Sequence, residues 1–200
     1  MHAQSNIHFY VNWAKERLDE MEAVLTSLES RIGEVQSDAR DKANKALADM
    51  RKGRDIFRDT VKKQAEANEA AWMSAKAKLE PEWNTFEAEV KKFVETFGKQ
   101  VEQQRATFKL QSAAQLKAWR EAADKLAGDT RQFATERQAE IDTAVKRMQA
   151  DAAAAEEKLQ KQMEQMETQS WSALMAVLTE TRAAFDRANQ AAREAFKRAA

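Results

Sequence analysis

Phe86–Trp119 reads FEAEVKKFVETFGKQVEQQRATFKLQSAAQLKAW, with Phe86, Phe97, Phe108 and Trp119 eleven residues apart. Eleven residues complete almost three helical turns at about 3.67 per turn, close to the natural 3.6. On a helix such a row drifts little and lines one edge on the order of 50 Å long. Trp83, Val90, Phe93, Val94 and Val101 fall with it inside an arc of roughly 100°, and Lys91, Lys92, Glu95 and Lys99 fall outside. The stretch predicts a helix with one aromatic edge. That edge is either a seam in a helical core or a contact face for a lipid surface, a hydrophobic granule or a partner helix. Trp83, Phe86, Phe97, Phe108 and Trp119 are the candidate interaction face.

The rest of the chain supports helix. It has 4 glycines and 1 proline in 200 residues, where average usage would give roughly fourteen and ten. Few turns can be built. Alanine is abundant, and Glu, Lys, Gln, Arg, Leu and Met supply much of the remainder, all strong helix formers. No alternating strand pattern is present. The expected fold class is all-α, with a few very long helices forming an elongated antiparallel bundle or coiled coil.

The 33 basic and 33 acidic side chains cancel. A nucleic-acid binder needs clustered positive charge, so nucleic acid is not an expected partner. The N-terminus lacks an apolar core behind basic residues, so no secretory leader is expected. No run of 18 apolar residues occurs, so no membrane-spanning helix is expected. The expected location is cytoplasmic, or peripheral to a membrane or granule.

Ser5 or Asn6 can cap the first helix. A heptad stripe follows: Ile7, Val11, Ala14, Leu18, Met21, Leu25, Leu28, Ile32, Val35 and Ala39. Such a stripe keeps one seam facing a partner helix. Val11, Leu18, Met21, Leu25, Leu28, Ile32 and Val35 are the candidate coiled-coil seam, with Gly33 tolerated inside it. Phe57, Val61, Ala65, Asn68 and Trp72 restart the stripe. Pro81 is either a kink or a loop. Gly98 is read as helical. Gly128-Asp129-Thr130 is the clearer loop, because glycine suits the end of a helix and Asp or Thr can cap the next. Three helices are expected, roughly 6–79, 82–127 and 130–198, in a single domain covering residues 1–200.

The last segment carries an alanine- and methionine-rich seam from Ile141 to Met166. It ends with Phe185 and Phe196, again eleven apart, flanked by arginines. Basic residues in a last turn complement the helix dipole. Acid-to-base pairs at four-residue spacing, such as Asp41–Lys45 and Glu121–Lys125, describe solvated helix surface.

No motif for chemistry stands out. The chain has no cysteine, and its two histidines, His2 and His8, sit near the start. There is no phosphate-binding glycine loop, no Glu-x-x-His pair and no Ser/His/Asp set. No catalytic, cofactor-binding or metal-ligating residue is expected, and the reading is a non-enzyme.

The Phe86–Phe97–Phe108–Trp119 row resembles the eleven-residue amphipathic repeats of apolipoprotein-type proteins. The cysteine-free, Ala/Gln/Lys-rich helices with phenylalanine stripes are similar to phasins, bacterial proteins that coat storage granules. The resemblance covers about residues 57–127 and rests on periodicity. Three long helices in 200 residues also resemble BAR-type membrane-bending dimers. These resemblances imply a protein that coats a lipid or granule surface. The residues themselves lead first to a different expectation: an elongated coiled-coil scaffold that pairs with itself or with a helical partner through the Ile7–Ala39 heptad.

Overall fold

Strong helix formers build the helices, and two of the breaks fall in stretches without glycine or proline. The computed structural model describes the backbone of residues 2–97, 101–130 and 135–199, and the side chains of residues 8–97, 103–130 and 138–199. The described residues form six α-helices: α1 (His2–Ser30), α2 (Arg40–Lys63), α3 (Glu69–Phe97), α4 (Val101–Asp129), α5 (Thr135–Glu164) and α6 (Trp171–Ala199). A 3-10 turn, Ile32–Glu34, lies between α1 and α2. The architecture is all-α, with helices packed antiparallel as a bundle.

The three expected helices are therefore six. Helix 6–79 is broken twice. The first break follows Ser30. Val35 adopts an extended backbone, and the Arg40 guanidinium donates to the Gly33 and Val35 carbonyls, both at 3.1 Å. These bonds serve carbonyls that a finished helix leaves without partners. The second break is at Gln64–Asn68. There the Asn68 side-chain oxygen accepts the Ala71 amide at 2.9 Å, an N-cap that starts α3. Ala65 and Asn68 thus belong to a turn and not to a continuing stripe.

Helix 130–198 is also broken. Ser170 Oγ accepts the Ala173 amide at 3.3 Å and caps α6. The expected break near Gly128 falls a little early, since α4 runs to Asp129. Ser5 and Asn6 lie inside α1, which begins at His2. Gly98 lies outside the described residues.

Pro81 neither ends a helix nor opens a loop; it sits inside α3. A proline there removes one backbone donor and crowds the carbonyl four residues back. Pro81 and Ala77 are both exposed, so water can serve the freed carbonyl. Replacing Pro81 by alanine should raise stability by up to about 3 kcal/mol. A higher urea midpoint with unchanged circular dichroism would show this; a lower midpoint would mean the proline is needed where it stands.

The chain divides into two compact units. One comprises residues 1–16 and 112–200, so it holds the start of α1, most of α4, and the α5/α6 hairpin. Its core gathers Phe9, Trp119, Leu126, Ile141, Phe185 and Phe196. The other comprises residues 17–111, which are the end of α1, the α2/α3 hairpin, and the start of α4. Its largest fully buried side chains include Met21, Phe57, Trp72, Phe93 and Phe108. The boundary between the units falls within α1 and within α4.

Candidate interaction faces

The aromatic edge follows from helix periodicity, but the chain does not leave it on a surface. Trp83 and Phe86 lie on α3, with ring centroids 6.1 Å apart and stacked, and both are buried. Phe97 closes α3, half-buried, 5.0 Å from the Phe93 ring. Phe108 on α4 is fully buried. Trp119, also on α4, meets Phe185 edge-on at 5.2 Å, with 1% of its surface exposed. The row is therefore core and not one straight edge. It is shared between two helices, because α3 ends at Phe97 and α4 begins at Val101. Trp119 serves one unit and the other four serve the second.

The heptad seam is shifted. Met21, Leu25 and Leu28 on α1 are buried, while Val11, Leu18 and Ile32 are only half-buried. Val35 is buried beyond the end of α1, next to the 3-10 turn. The inward face of α1 instead carries Phe9, Tyr10, Trp13, Ala14, Arg17 and Glu20. Sequence reasoning passed over Arg17 and Glu20 because charged residues on a helix are normally solvated. Trp13 was a usable signal, an aromatic one turn ahead of Arg17.

Each core contains polar groups, and burial requires that these find partners. In the unit containing residues 112–200, Arg182 Nε lies 3.9 Å from Glu16 Oε1, and both residues are nearly inaccessible to solvent. Gln115 donates to the Leu178 carbonyl at 2.9 Å and accepts from Thr181. Asn189 donates to the Phe9 carbonyl at 2.8 Å. The Arg193 guanidinium stands over the Tyr10 ring at 4.9 Å. In the unit of residues 17–111, Ser27 and Thr107 share a hydrogen bond of 2.8 Å, and the Arg17 guanidinium lies 6.0 Å from the Trp83 ring centre. These polar contacts pin one helix against another.

Some buried atoms stay without a hydrogen-bond partner, and α4 carries several: Gln103 Nε2, Gln111 Oε1, Ser112 Oγ and Trp119 Nε1.

Two grooves open on the hairpins. A cavity of about 390 Å³ between α2 and α3 is lined by Lys42, Asp49, Glu89, Lys92, Phe93 and Phe97, among others. Burial, then the nearby Asp49 and Glu82 charges, push the Glu89 carboxyl above its usual range. A cavity of about 330 Å³ between α5 and α6 is lined by several alanines and by charged residues that include Arg147, Lys158, Glu180 and Arg187. Among the described residues, no group of three His, Cys, Asp or Glu side chains could hold a metal ion. None of their helices is long and apolar enough to cross a membrane.

On the outer faces, Lys15 bonds Glu121 at 2.6 Å between α1 and α4, and this holds the Glu121 carboxyl below its usual range. Glu121 also meets Lys117 at 3.7 Å. The expected partner, Lys125, lies beside His8. Burial, then the Lys125 charge, lowers the His8 pKa, and Asp129 opposes them. Above pH about 6.5 His8 is neutral folded and unfolded, and contributes nothing. As pH falls below that value the unfolded chain takes up the proton first, so the folded state loses stability. The stability deficit of wild type against His8→Gln should therefore grow below pH 6.5 and level off above it, as read by urea unfolding. A difference that does not vary with pH would contradict this.

Compared with known protein families, curated proteins and solved structures, the chain finds no match.

Proposed function

We propose that the chain is a non-enzymatic helical scaffold or interaction protein that self-associates and works through helix surfaces. The observation that carries this reading is the use made of the buried polar groups. Glu16, Gln115, Arg182, Asn189, Ser27 and Thr107 meet other helices and line neither of the two hairpin cavities. A reaction centre needs the opposite, a concave site with convergent polar groups. Buried polar pairs of this kind fix helix register. The balanced surface charge supports a protein partner over nucleic acid. Light scattering across a hundredfold concentration range tests the reading. It predicts a dimer or larger species; a monomer throughout would overturn it.

A second reading has its own support. The unpartnered Trp119 indole N–H, with Gln103, Gln111 and Ser112 on the same helix, would gain hydration if α4 turned its inner face to an amphiphilic surface, where tryptophan is at home. This is the reading of a peripheral protein that coats a lipid or granule surface. Flotation with anionic vesicles separates the two. Co-flotation with increased tryptophan accessibility supports coating, and a dimer that stays with the aqueous fraction sinks it.

A further inference from the structure

The six helices fall into two sets of three whose inward positions coincide. In α1, Tyr10, Ala14, Arg17, Met21, Val24 and Leu28 are buried; 98 residues later in α4 stand Phe108, Ser112, Gln115, Trp119, Ala122 and Leu126, all buried. Of the twelve described buried residues of α1, all but Glu16 and Ser27 have a buried residue 98 positions on. The same shift carries Ala43, Leu47, Met50 and Phe57 of α2 onto Ile141, Val145, Met148 and Ala155 of α5. A shift of 99 carries Trp72, Leu79 and Phe86 of α3 onto Trp171, Leu178 and Phe185 of α6, keeping both identity and burial. Phe97 and Phe196 complete the series. One amphipathic helix can match another by chance of period. Three successive helices matching at nearly one shift, with shared tryptophan, leucine and phenylalanine, require more than period.

We infer that residues 2–97 and 101–199 are two copies of one three-helix module, and that the interface joining them is a pairing surface for a second copy of this chain. Neither module keeps all of its helical residues in one unit. The start of α1 packs with the second module, and the start of α4 packs with the first. Every contact between modules is indifferent to whether they share a chain. Exchangeable halves of one chain are the setting in which two chains trade them. The inference deepens the self-association reading above and rests on it.

The hydrogen bond between Ser27 on α1 and Thr107 on α4 reports module pairing, and the chain has no native cysteine to confuse the readout. Full-length Ser27→Cys and Thr107→Cys chains are unfolded together, refolded together at high concentration and mildly oxidised. The expected product is a disulfide-linked species of twice the chain mass containing one chain of each kind, well above what either chain yields alone. Mixed chains that remain unlinked would overturn the inference. A second arm forces the choice, using a chain that carries both substitutions and lacks residues 98–100. Doubled mass, native helicity and interchain links are expected. A monomer with an intrachain link, or a chain of low helicity, would count against exchange. A dimer whose thiols link only within each chain would also overturn it, while leaving self-association through outer faces intact.

Discussion

Replacing Trp119 by alanine should lower stability by about 3–5 kcal/mol, the usual loss for a large aromatic removed from a packed core. The ring is almost wholly buried, edge-on to Phe185, in the core that also holds Phe9, Ile141 and Phe196. For a chain of this size the melting temperature should fall by about 6–20 °C. Trp119→Phe gives the control. It keeps much of the volume and removes the unpartnered indole N–H, so its loss should stay under about 1.5 kcal/mol. If Trp119→Ala costs less than about 1 kcal/mol, the ring faces outward and the eleven-residue row is a contact surface after all.

The second large effect is expected at Glu16 and Arg182. Two charges placed where only 1% and 4% of their side-chain surfaces meet solvent are costly to desolvate, and each depends on partners for compensation. Glu16→Ala strips the carboxylate from beside a buried guanidinium and should cost about 3–5 kcal/mol. Glu16→Leu combined with Arg182→Met replaces the pair by apolar groups and should recover most of that loss. Urea unfolding of both single variants and the double variant gives the coupling. A double variant as unstable as Glu16→Ala would mean that the pair is not the reason for the loss. Recovery of stability with weakened self-association would tie the pair to register and to the scaffold reading.

These two sites show what was legible and what was not. Helix was legible everywhere, because alanine and the long unbranched side chains favour it and almost nothing interrupts them. The inward positions of the aromatic row were legible as well, since burial follows period. Connectivity was not. The row keeps its eleven-residue spacing from Phe97 to Phe108 although α3 stops at Phe97. Likewise Ile32 and Val35 keep heptad spacing past the end of α1. The turns at Gln64–Asn68 and Gln165–Ser170 are made largely of Gln, Ala, Glu, Met and Thr, residues equally at home on a helix surface. Their only local marks are the caps, Asn68 and Ser170. Attention to the proline and glycines pointed elsewhere, yet Pro81 lies within a helix and Gly53 and Gly128 do too. Arg17, Glu20 and Arg182 escaped because hydropathy treats charge as surface, whereas here polar groups are part of the cores.

The aromatic rows lie inside the chain. All five tryptophans, Trp13, Trp72, Trp83, Trp119 and Trp171, are buried, none more than 7% exposed. Acrylamide quenching of the native protein, compared with the same protein in urea, reads this directly. Blue-shifted emission, quenched several-fold less than in the unfolded chain, is the predicted result. Quenching as strong in the native protein as in urea would contradict it.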